Sequence, residues 1–350
     1  MQALIEYGLF LAKAVTIVVA IIFVIAAILS LRQRRHTPPE GEIEVTDLGD
    51  RFKRFEEDLR DAVMDDDELK AWHKAEQRRD KEERKERHKR HKRGEDDEAP
   101  KRIFVLDFDG DVQASAVDNL REEISAVLTL ATADDQVLVR LDSSGGMVHS
   151  YGLAASQLLR IRNAGLPLTV AVDGVAASGG YMMACVASTI IAAPFAIIGS
   201  IGVMAQMPNF HRLLKKHDID VELHTAGEFK RTLTVFGENT EKGRRKFLDE
   251  LEETHVLFKQ FVVGNRPQVD IDNIATGEIW YGLQALEKQL IDAVQTSDEF
   301  LMAQRDERDL FLVRYVEKRP WQEKLGLVAE MSIDRVLLRW WQRFSSRRFW

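Results

Sequence analysis

Two short segments carry the residues with which this chain could do chemistry. The first is the run Gly-Val-Ala-Ala-Ser-Gly-Gly at 174–180, and the second is Phe-Lys-Arg-Thr-Leu-Thr at 229–234. A serine flanked by glycines at the start of a helix lets a substrate backbone approach its hydroxyl, and nearby N–H groups can face a developing oxyanion. Ser178 and Lys230 are therefore predicted to be a nucleophile and its general base, a pair suited to acyl transfer.

A serine hydroxyl is a weak nucleophile until a base removes its proton. A lysine amine can serve as that base only where burial lowers its pKa toward neutrality. The side chains of Phe229, Leu233, Val235 and Phe236 are expected to supply an apolar wall around the lysine. The predicted reaction passes through an acyl-enzyme that water attacks with the help of the lysine. The alternative for Ser178 is a small residue at a tight packing site.

A histidine base is a rival mechanism, because related folds use Ser-His-Asp triads. The chain has candidates for it at His149, His211, His217, His224, Asp142 and Asp173. None lies in a motif typical of a triad, so solvated or structural roles are favoured for all of them. The pH profile separates the two mechanisms, because a histidine base loses activity below its ordinary pKa of about 6.5 and a lysine base needs more alkaline conditions.

The hydrophobic pattern that must position these residues is one of strand, glycine turn and helix. Buried strands are predicted at 103–108, 137–141 and 168–172, with helical periodicity between them. The second strand ends at a glycine turn at 142–146, and the third is expected to deliver the Ser178 turn. This alternation predicts an α/β layered fold with its reactive turns at one edge of the sheet.

An uncharged run at 182–207 has the hydropathy of a second membrane span. Pro194, Gly199 and Gly202 interrupt it, so a buried helix followed by interior strands at 189–192 and 197–203 is the favoured interpretation. A crossing here would also separate the serine from the lysine.

The amino-terminal region predicts a membrane anchor. After a tail of residues 1–6, residues 7–31 are almost continuously apolar and reach the roughly 20 residues that a spanning helix needs. A cleaved signal peptide is the alternative, but no small-x-small cleavage site follows. The arginines just after residue 31 favour a cytoplasmic location for the body.

The regions flanking the predicted body, 101–300, are polar or basic. Residues 32–100 are predicted to be a charged linker that forms a solvated helix or a tether. A contact with anionic lipid or another protein through 85–93 is the alternative. The extension at 301–350 ends in interleaved basic and apolar residues, which suit an interfacial amphipathic helix or one packed on a neighbouring subunit.

The composition narrows the classes of function. The 350 residues carry a formal net charge of −8 with both signs mixed, so nucleic acid is not expected as a partner. The one cysteine, Cys185, excludes an intramolecular disulfide and is predicted to be a small core residue. No Cys/His spacing resembles a zinc site, and no metal or cofactor is expected.

Five motifs occur in an order that resembles the signal peptide peptidase A family, peptidase family S49, of the ClpP-like serine peptidase clan. They are Asp-Ser-Ser-Gly-Gly at 142–146, Ala-Ser-Gly-Gly-Tyr-Met-Met-Ala at 177–184, Ile-Gly-Ser-Ile-Gly-Val at 198–203, Gly-Glu-Phe-Lys-Arg-Thr-Leu-Thr at 227–234 and Gly-Glu-Ile-Trp-Tyr-Gly-Leu-Gln-Ala-Leu at 277–286. The resemblance covers residues 100 to 300, and the anchor and charged linker fit one branch of the family best.

The resemblance implies a ClpP/crotonase-like layered fold with Ser178 as nucleophile and Lys230 as general base. It also implies an oxyanion hole made by the backbone N–H of Gly145, with that of Gly179, and a Ser200 hydroxyl that holds the lysine amine. Taken alone, the glycine pair at 145–146 suits an ordinary turn. Likewise, Ser200 suits a polar cap between two strands.

The resemblance further implies a membrane-anchored endopeptidase of the bacterial inner membrane that forms a ring-like homo-oligomer, because the chain holds one copy of the Ser178 motif. The subunit count stays open, an octamer being one option. Substrates would be membrane-associated peptides or unfolded polypeptides, such as remnant signal peptides. Family analogy favours a periplasmic body, against the charge bias. The alternatives are a crotonase-like acyl-CoA enzyme, which needs no Ser-Lys pair, and a non-catalytic membrane scaffold.

Overall fold

Strands and helices alternate along the part of the chain that the computed structural model describes, residues 41–92 and 101–317. The strands are β1 (Gly41–Asp47), β2 (Arg102–Gly110), β3 (Gln136–Ser143), β4 (Leu168–Val172), β5 (Val175–Ala177), β6 (Thr189–Ala192), β7 (Ile197–Gly199), β8 (Ile279–Tyr281), β9 (Ala293–Val294) and β10 (Asp309–Glu317). The helices are α1 (Leu48–Val63), α2 (Asp66–Lys92), α3 (Val117–Leu130), α4 (Val148–Asn163), α5 (Gly179–Ala184), α6 (His211–Lys216), α7 (Glu241–Asn265), α8 (Ile271–Ile274), α9 (Gly282–Glu287) and α10 (Ser297–Gln304). The α/β class predicted from the sequence is confirmed.

Within the described residues the strands form one ten-stranded sheet that divides after β3. One path runs β1-β10-β2-β3-β4-β6-β9, and a second leaves β3 through β5 to β7 and β8. Strands β2, β3, β4 and β6 pair in parallel, whereas β7 and β8 pair antiparallel. Because parallel strands end at a common edge, the turns that follow β3 and β5 lie together there.

The sheet is buried on both faces, as parallel sheets generally are. Alternate residues of β2 point to opposite sides: Phe104, Leu106 and Phe108 belong to the larger core cluster, and Ile103 and Val105 to the smaller one. Helices α3, α4, α5 and α7 contribute to the larger cluster, while α1 and α10 cover the smaller one. The prediction of a first buried strand at 103–108 is therefore confirmed.

The uncharged run at 182–207 is buried for the most part through Ile201, whereas residues 204–207 are exposed. It contains the second half of helix α5 and strands β6 and β7, whose side chains are largely buried. The prediction of a buried helix followed by two interior strands is confirmed, although β7 ends at Gly199 rather than at 203. The run is uncharged because both of its strands lie within the sheet.

The structure differs from the sequence prediction at three places. Strand β4 does not deliver Ser178 directly, because the separate short strand β5 stands between them. Strands β1 and β10 join the same sheet as the body predicted at 101–300. Strand β1 was not predicted, because an edge strand with exposed side chains carries no hydrophobic run. The side chains of β1 are exposed almost throughout.

The segment predicted as a linker is helical over much of its described length. Helix α1 begins at the N-cap Asp47, whose carboxylate accepts from the Asp50 N–H at 2.9 Å, and it buries Leu48. Helix α2 is rich in charged residues, and its side chains from Asp66 to Arg79 are exposed or half-buried. Among residues 41–92 and 101–317, no helix has the length and apolar character to cross a membrane. The anchor predicted at 7–31 and the basic end of the 301–350 extension lie outside the described residues.

Candidate active site

Ser178 occupies the single residue between strand β5 and helix α5. Its backbone angles are φ 53° and ψ −117°, a conformation that a residue with a side chain rarely adopts. The Ser178 N–H donates to the Gly199 carbonyl at 2.8 Å, and its own carbonyl accepts from the Met182 N–H at 2.9 Å. These two bonds hold the serine in a sharp strand-to-helix turn, the arrangement that exposes a nucleophile at the edge of a sheet.

The glycine turn after β3 lies directly against the serine. Gly145 has φ +85°, and a Cβ added to it would lie 2.6 Å from the Gly179 nitrogen and 2.8 Å from the Ser178 Cβ. No side chain fits there, so the backbones of Gly145 and Gly179 are in contact. The structure thus brings together the serine and both residues predicted to donate to an oxyanion.

The two predicted oxyanion donors differ in the hydrogen bonds that their backbone N–H groups make. The Gly179 N–H is the first of helix α5 and has no intrahelical partner. The Gly145 N–H donates to Ser143 Oγ at 3.1 Å. A substrate oxygen would therefore share the Gly145 proton in a three-centre bond, a common arrangement at helix termini and turns.

Ser200 lies beside Ser178 on the neighbouring strand path. The parallel register of β5 and β7 pairs Ala177 with Gly199, so the next residue on each strand is a serine. Ser200 also has a positive φ of 52°, and its N–H donates to the Glu278 carbonyl at 2.7 Å. Its side chain is half-buried.

Lys230 makes no direct bond to this group within the described part of a single chain. Its side chain is exposed, and in the described part of the chain no hydrogen bond or ion pair joins it to Ser178 or Ser200. The expected apolar wall is open as well, because Phe229 and Phe236 are 41% and 53% exposed. Within one chain, the structure therefore brings Ser178 together with the two glycines and Ser200 but shows no bond from this group to Lys230.

The segment that carries Lys230 exposes an unusual amount of apolar surface. We call its exposed members the apolar band: Met204, Met207, Phe210, Leu213, Ile219, Val221, Leu223, Phe229 and Phe236. Helix α6 lies within this segment and has no buried residue. Exposed apolar residues gathered in one segment are a feature of interaction sites.

The histidine alternative finds no support in the geometry. The Asp173 carboxylate accepts from the N–H and hydroxyl of Ser297, and His224 contacts Glu222 at 3.2 Å. Across residues 41–92 and 101–317, no hydrogen bond joins Asp142 or Asp173 to a histidine. His149, His211 and His217 are exposed or half-exposed.

Cys185 lies at the end of helix α5, fully buried. Burial raises the pKa of its thiol to about 12, so the thiol is neutral and unreactive. The prediction of a small core residue is confirmed. In the described residues no group of three or more His, Cys, Asp or Glu side chains could hold a metal ion.

Comparisons with known proteins show the family to which the chain belongs. Residues 2–158 match the family described as peptidase family S49 N-terminal, and residues 160–310 match peptidase family S49. The chain is 53% identical over 336 residues to the "Probable protease SohB" of Haemophilus influenzae, which covers 95% of each chain. It is 49% identical over 337 residues to the protein of the same name from Buchnera aphidicola subsp. Schizaphis graminum, covering 96% of each.

The family model and the relatives together indicate a protease. The chain belongs to peptidase family S49, as its five motifs indicated.

Proposed function

We propose that the protein is a membrane-anchored serine endopeptidase in which Ser178 is the nucleophile and Lys230 the general base. The observation that carries the proposal is the strained turn at Ser178, with the Gly145 and Gly179 backbones packed against it. Backbone strain persists only where surrounding contacts enforce it, and it concentrates at active sites.

The proposed reaction uses these residues in sequence. The amine of Lys230 takes the Ser178 proton as the hydroxyl oxygen attacks the scissile carbonyl carbon. The N–H groups of Gly145 and Gly179 receive the negative charge that develops on the carbonyl oxygen. The lysine then gives its proton to the leaving amine, an acyl-enzyme forms, and water attacks it with the lysine again acting as base.

A second copy of the chain is proposed to bring the lysine to the serine. Lys230 is exposed within one chain, and the segment that carries it also carries the apolar band, a surface that another protomer would cover. Covering that surface would also remove water from the amine, as a lysine base requires. A closed ring in which each protomer lends its lysine to a neighbour satisfies both needs. Ser200 is then placed to orient the incoming amine.

Membrane-associated peptides and unfolded polypeptides, remnant signal peptides among them, are the proposed substrates. The apolar stretch at 7–31 would anchor the body in the inner membrane, within reach of such chains. Protease accessibility of the body in sealed vesicles decides which side it occupies. A cytoplasmic body agrees with the charges after residue 31, and a periplasmic one with the family analogy.

The deciding experiment is covalent labelling of the full-length protein by a serine-directed fluorophosphonate. We expect one adduct, at Ser178, that is lost in Ser178→Ala and strongly slowed in Lys230→Ala. Matched controls are Ser156→Ala, an exposed serine of helix α4, and Lys216→Ala, an exposed lysine of helix α6. A wild-type protein that takes no label at Ser178, or a Lys230→Ala variant that hydrolyses peptides at the normal rate, would overturn the proposal. An acyl-CoA enzyme would take no such label.

A further inference from the structure

A line of hydrogen bonds runs from the Gly145 turn into the core. The Gly145 N–H donates to Ser143 Oγ at 3.1 Å, Ser143 Oγ lies 2.6 Å from Tyr151 Oη, and Tyr151 Oη donates to the Asp111 carbonyl at 2.6 Å. A carbonyl can only accept, so the single hydroxyl proton of Tyr151 points to Asp111. The Ser143 proton must then point to Tyr151 Oη. All three donors therefore face the same way, which strengthens each bond.

These hydroxyls are shielded from water. The Tyr151 residue is fully buried, and Ser143 is 2% exposed. Ser143 has a second acceptor within reach, the Gly110 carbonyl, but at the longer distance of 3.3 Å. The Tyr151 hydroxyl is thus the group that fixes the direction of the Ser143 proton, and with it the lone pair that receives the Gly145 N–H.

The ring of the same tyrosine supports the other predicted oxyanion donor. A Cβ added to Gly179 would lie 2.4 Å from Tyr151 Cγ and 2.7 Å from its Cδ2. The Gly179 backbone therefore rests on the face of the ring. Tyr151 belongs to the first turn of helix α4, which follows the Gly145 turn directly. It therefore supports both predicted donors, Gly145 through the Ser143 hydroxyl and Gly179 through its own ring.

We propose that Tyr151 is a positioning residue for the oxyanion hole, an inference that rests on the proposed serine peptidase function. Its hydroxyl acts through Ser143 on the Gly145 N–H, and its ring acts on Gly179. Transition-state stabilisation depends on donors already held in place, and small displacements of such groups cost much of the rate. The hydrogen bonds of its hydroxyl go to Ser143 and Asp111, not to Ser178.

Three variants of the full-length protein test this role: Tyr151→Phe, Ser143→Ala and the double variant. Tyr151→Phe keeps the ring and removes the hydroxyl. We expect kcat for a fluorogenic peptide to fall about tenfold with KM within about twofold, and fluorophosphonate labelling of Ser178 to slow equally. Because the two hydroxyls act in series, the double variant should be no slower than Ser143→Ala alone.

Tyr181→Phe is the matched control. Tyr181 is also fully buried, and its hydroxyl donates to the Leu290 carbonyl at 2.9 Å, away from the Gly145 turn. Both phenylalanine variants should lose a similar amount of thermal stability, because each loses one buried hydroxyl bond. Only Tyr151→Phe should lose kcat.

The outcomes separate the two proposals. A Tyr151→Phe variant with the kcat and labelling rate of Tyr181→Phe overturns the positioning role while the peptidase proposal stands. So does a double variant whose loss equals the product of the single losses, because the two hydroxyls would then act independently. A wild-type protein that is not labelled at Ser178 overturns the peptidase proposal, and the role of Tyr151 falls with it.

Discussion

The Ser178 N–H donates to the Gly199 carbonyl oxygen at 2.8 Å, which extends the pairing of β5 and β7 one residue beyond the strands. The bond fixes the serine in a backbone conformation that costs on the order of 1–3 kcal/mol. Neighbouring contacts from the glycine turn keep the chain from relaxing. The serine is therefore held rigidly before any substrate arrives.

Replacing Ser178 by alanine or glycine should separate strain from chemistry. Both variants lack the nucleophile, so peptide hydrolysis should fall by about 10⁴ to 10⁶ in kcat. Glycine tolerates the positive φ of this position, so Ser178→Gly should be about 1 kcal/mol more stable than Ser178→Ala. Urea unfolding measures the difference. A glycine variant less stable than the alanine variant would mean that the turn stores no strain.

Mixing two inactive variants tests whether neighbouring protomers share a site. Ser178→Ala supplies an intact Lys230, and Lys230→Ala supplies an intact Ser178. If each site joins the serine of one protomer to the lysine of the next, a random equal mixture should regain activity at about one site in four. Unfolding and refolding the two variants together, followed by a peptide assay, measures the recovery. No recovery in an assembly shown to contain both variants would place the lysine within its own chain.

Glu123 should make stability fall as the pH rises toward neutrality. Burial raises the pKa of its carboxyl from 4.5 to about 7, with the negative charge of Asp107 adding to the rise, while the Tyr315 N–H and Arg314 oppose it. Between about pH 4.5 and 7 the folded state holds a proton that the unfolded state has released, so the free energy of unfolding decreases by about 3 kcal/mol across this window.

Glu123→Gln cannot ionise and should remove most of that decrease. Urea unfolding of the wild type and the variant at pH 5 and pH 8 measures it. Glu122→Gln is the control, because Glu122 is exposed on the same helix. Equal pH dependence in wild type and Glu123→Gln would show that the buried carboxyl does not titrate in this range.

Asp135 should be a major contributor to stability. Its carboxylate is 1% exposed and accepts from Arg102 Nη2 at 2.7 Å and from the Thr132 N–H at 2.7 Å. Burial raises the pKa of Asp135, but the bonds from Arg102 and Thr132 outweigh it and hold the pKa below 3.8. Asp135→Asn leaves the partly buried guanidinium without its charge partner and should cost about 2–3 kcal/mol at pH 7.

The pH dependence of that loss is a further check. A carboxyl whose folded pKa is lowered stabilises the protein above its unfolded pKa, so the gap between wild type and Asp135→Asn should close as the pH falls below 3.8. Asp134→Asn, next to it and exposed, should change stability little. A gap that persists unchanged at low pH would assign the effect to packing rather than charge.

Much of this architecture could be predicted from the sequence, because local pattern determined it. The alternation at 103–108 and the glycines around Ser178 dictate a strand and a turn whatever surrounds them. Strand β1 could not be predicted, because its pairing with β10 comes from a distant part of the chain and its exposed side chains carry no hydrophobic signal.

The residues of the site were harder to predict from the sequence than the fold was, and the reason is physical. Gly145 and Gly179 were predicted through the resemblance of their motifs to a known family, because taken alone the glycine pair at 145–146 suits an ordinary turn. Tyr151 carries no local signal, because an aromatic residue at helical spacing is expected in any core. Its role depends on the contact between its hydroxyl and that of Ser143, the last residue of strand β3. The surroundings of Lys230 were predicted to be apolar, and within one chain they are open.

The burial of Cys185 makes this protein convenient for spectroscopy. Its neutral thiol has no access to solvent, and it is the one cysteine of the chain. Maleimide dyes and spin labels should therefore not react with the native protein. A cysteine introduced on the apolar band would then be the one labelled residue. Distances between probes on two copies of the protein could then be measured without first removing the native cysteine.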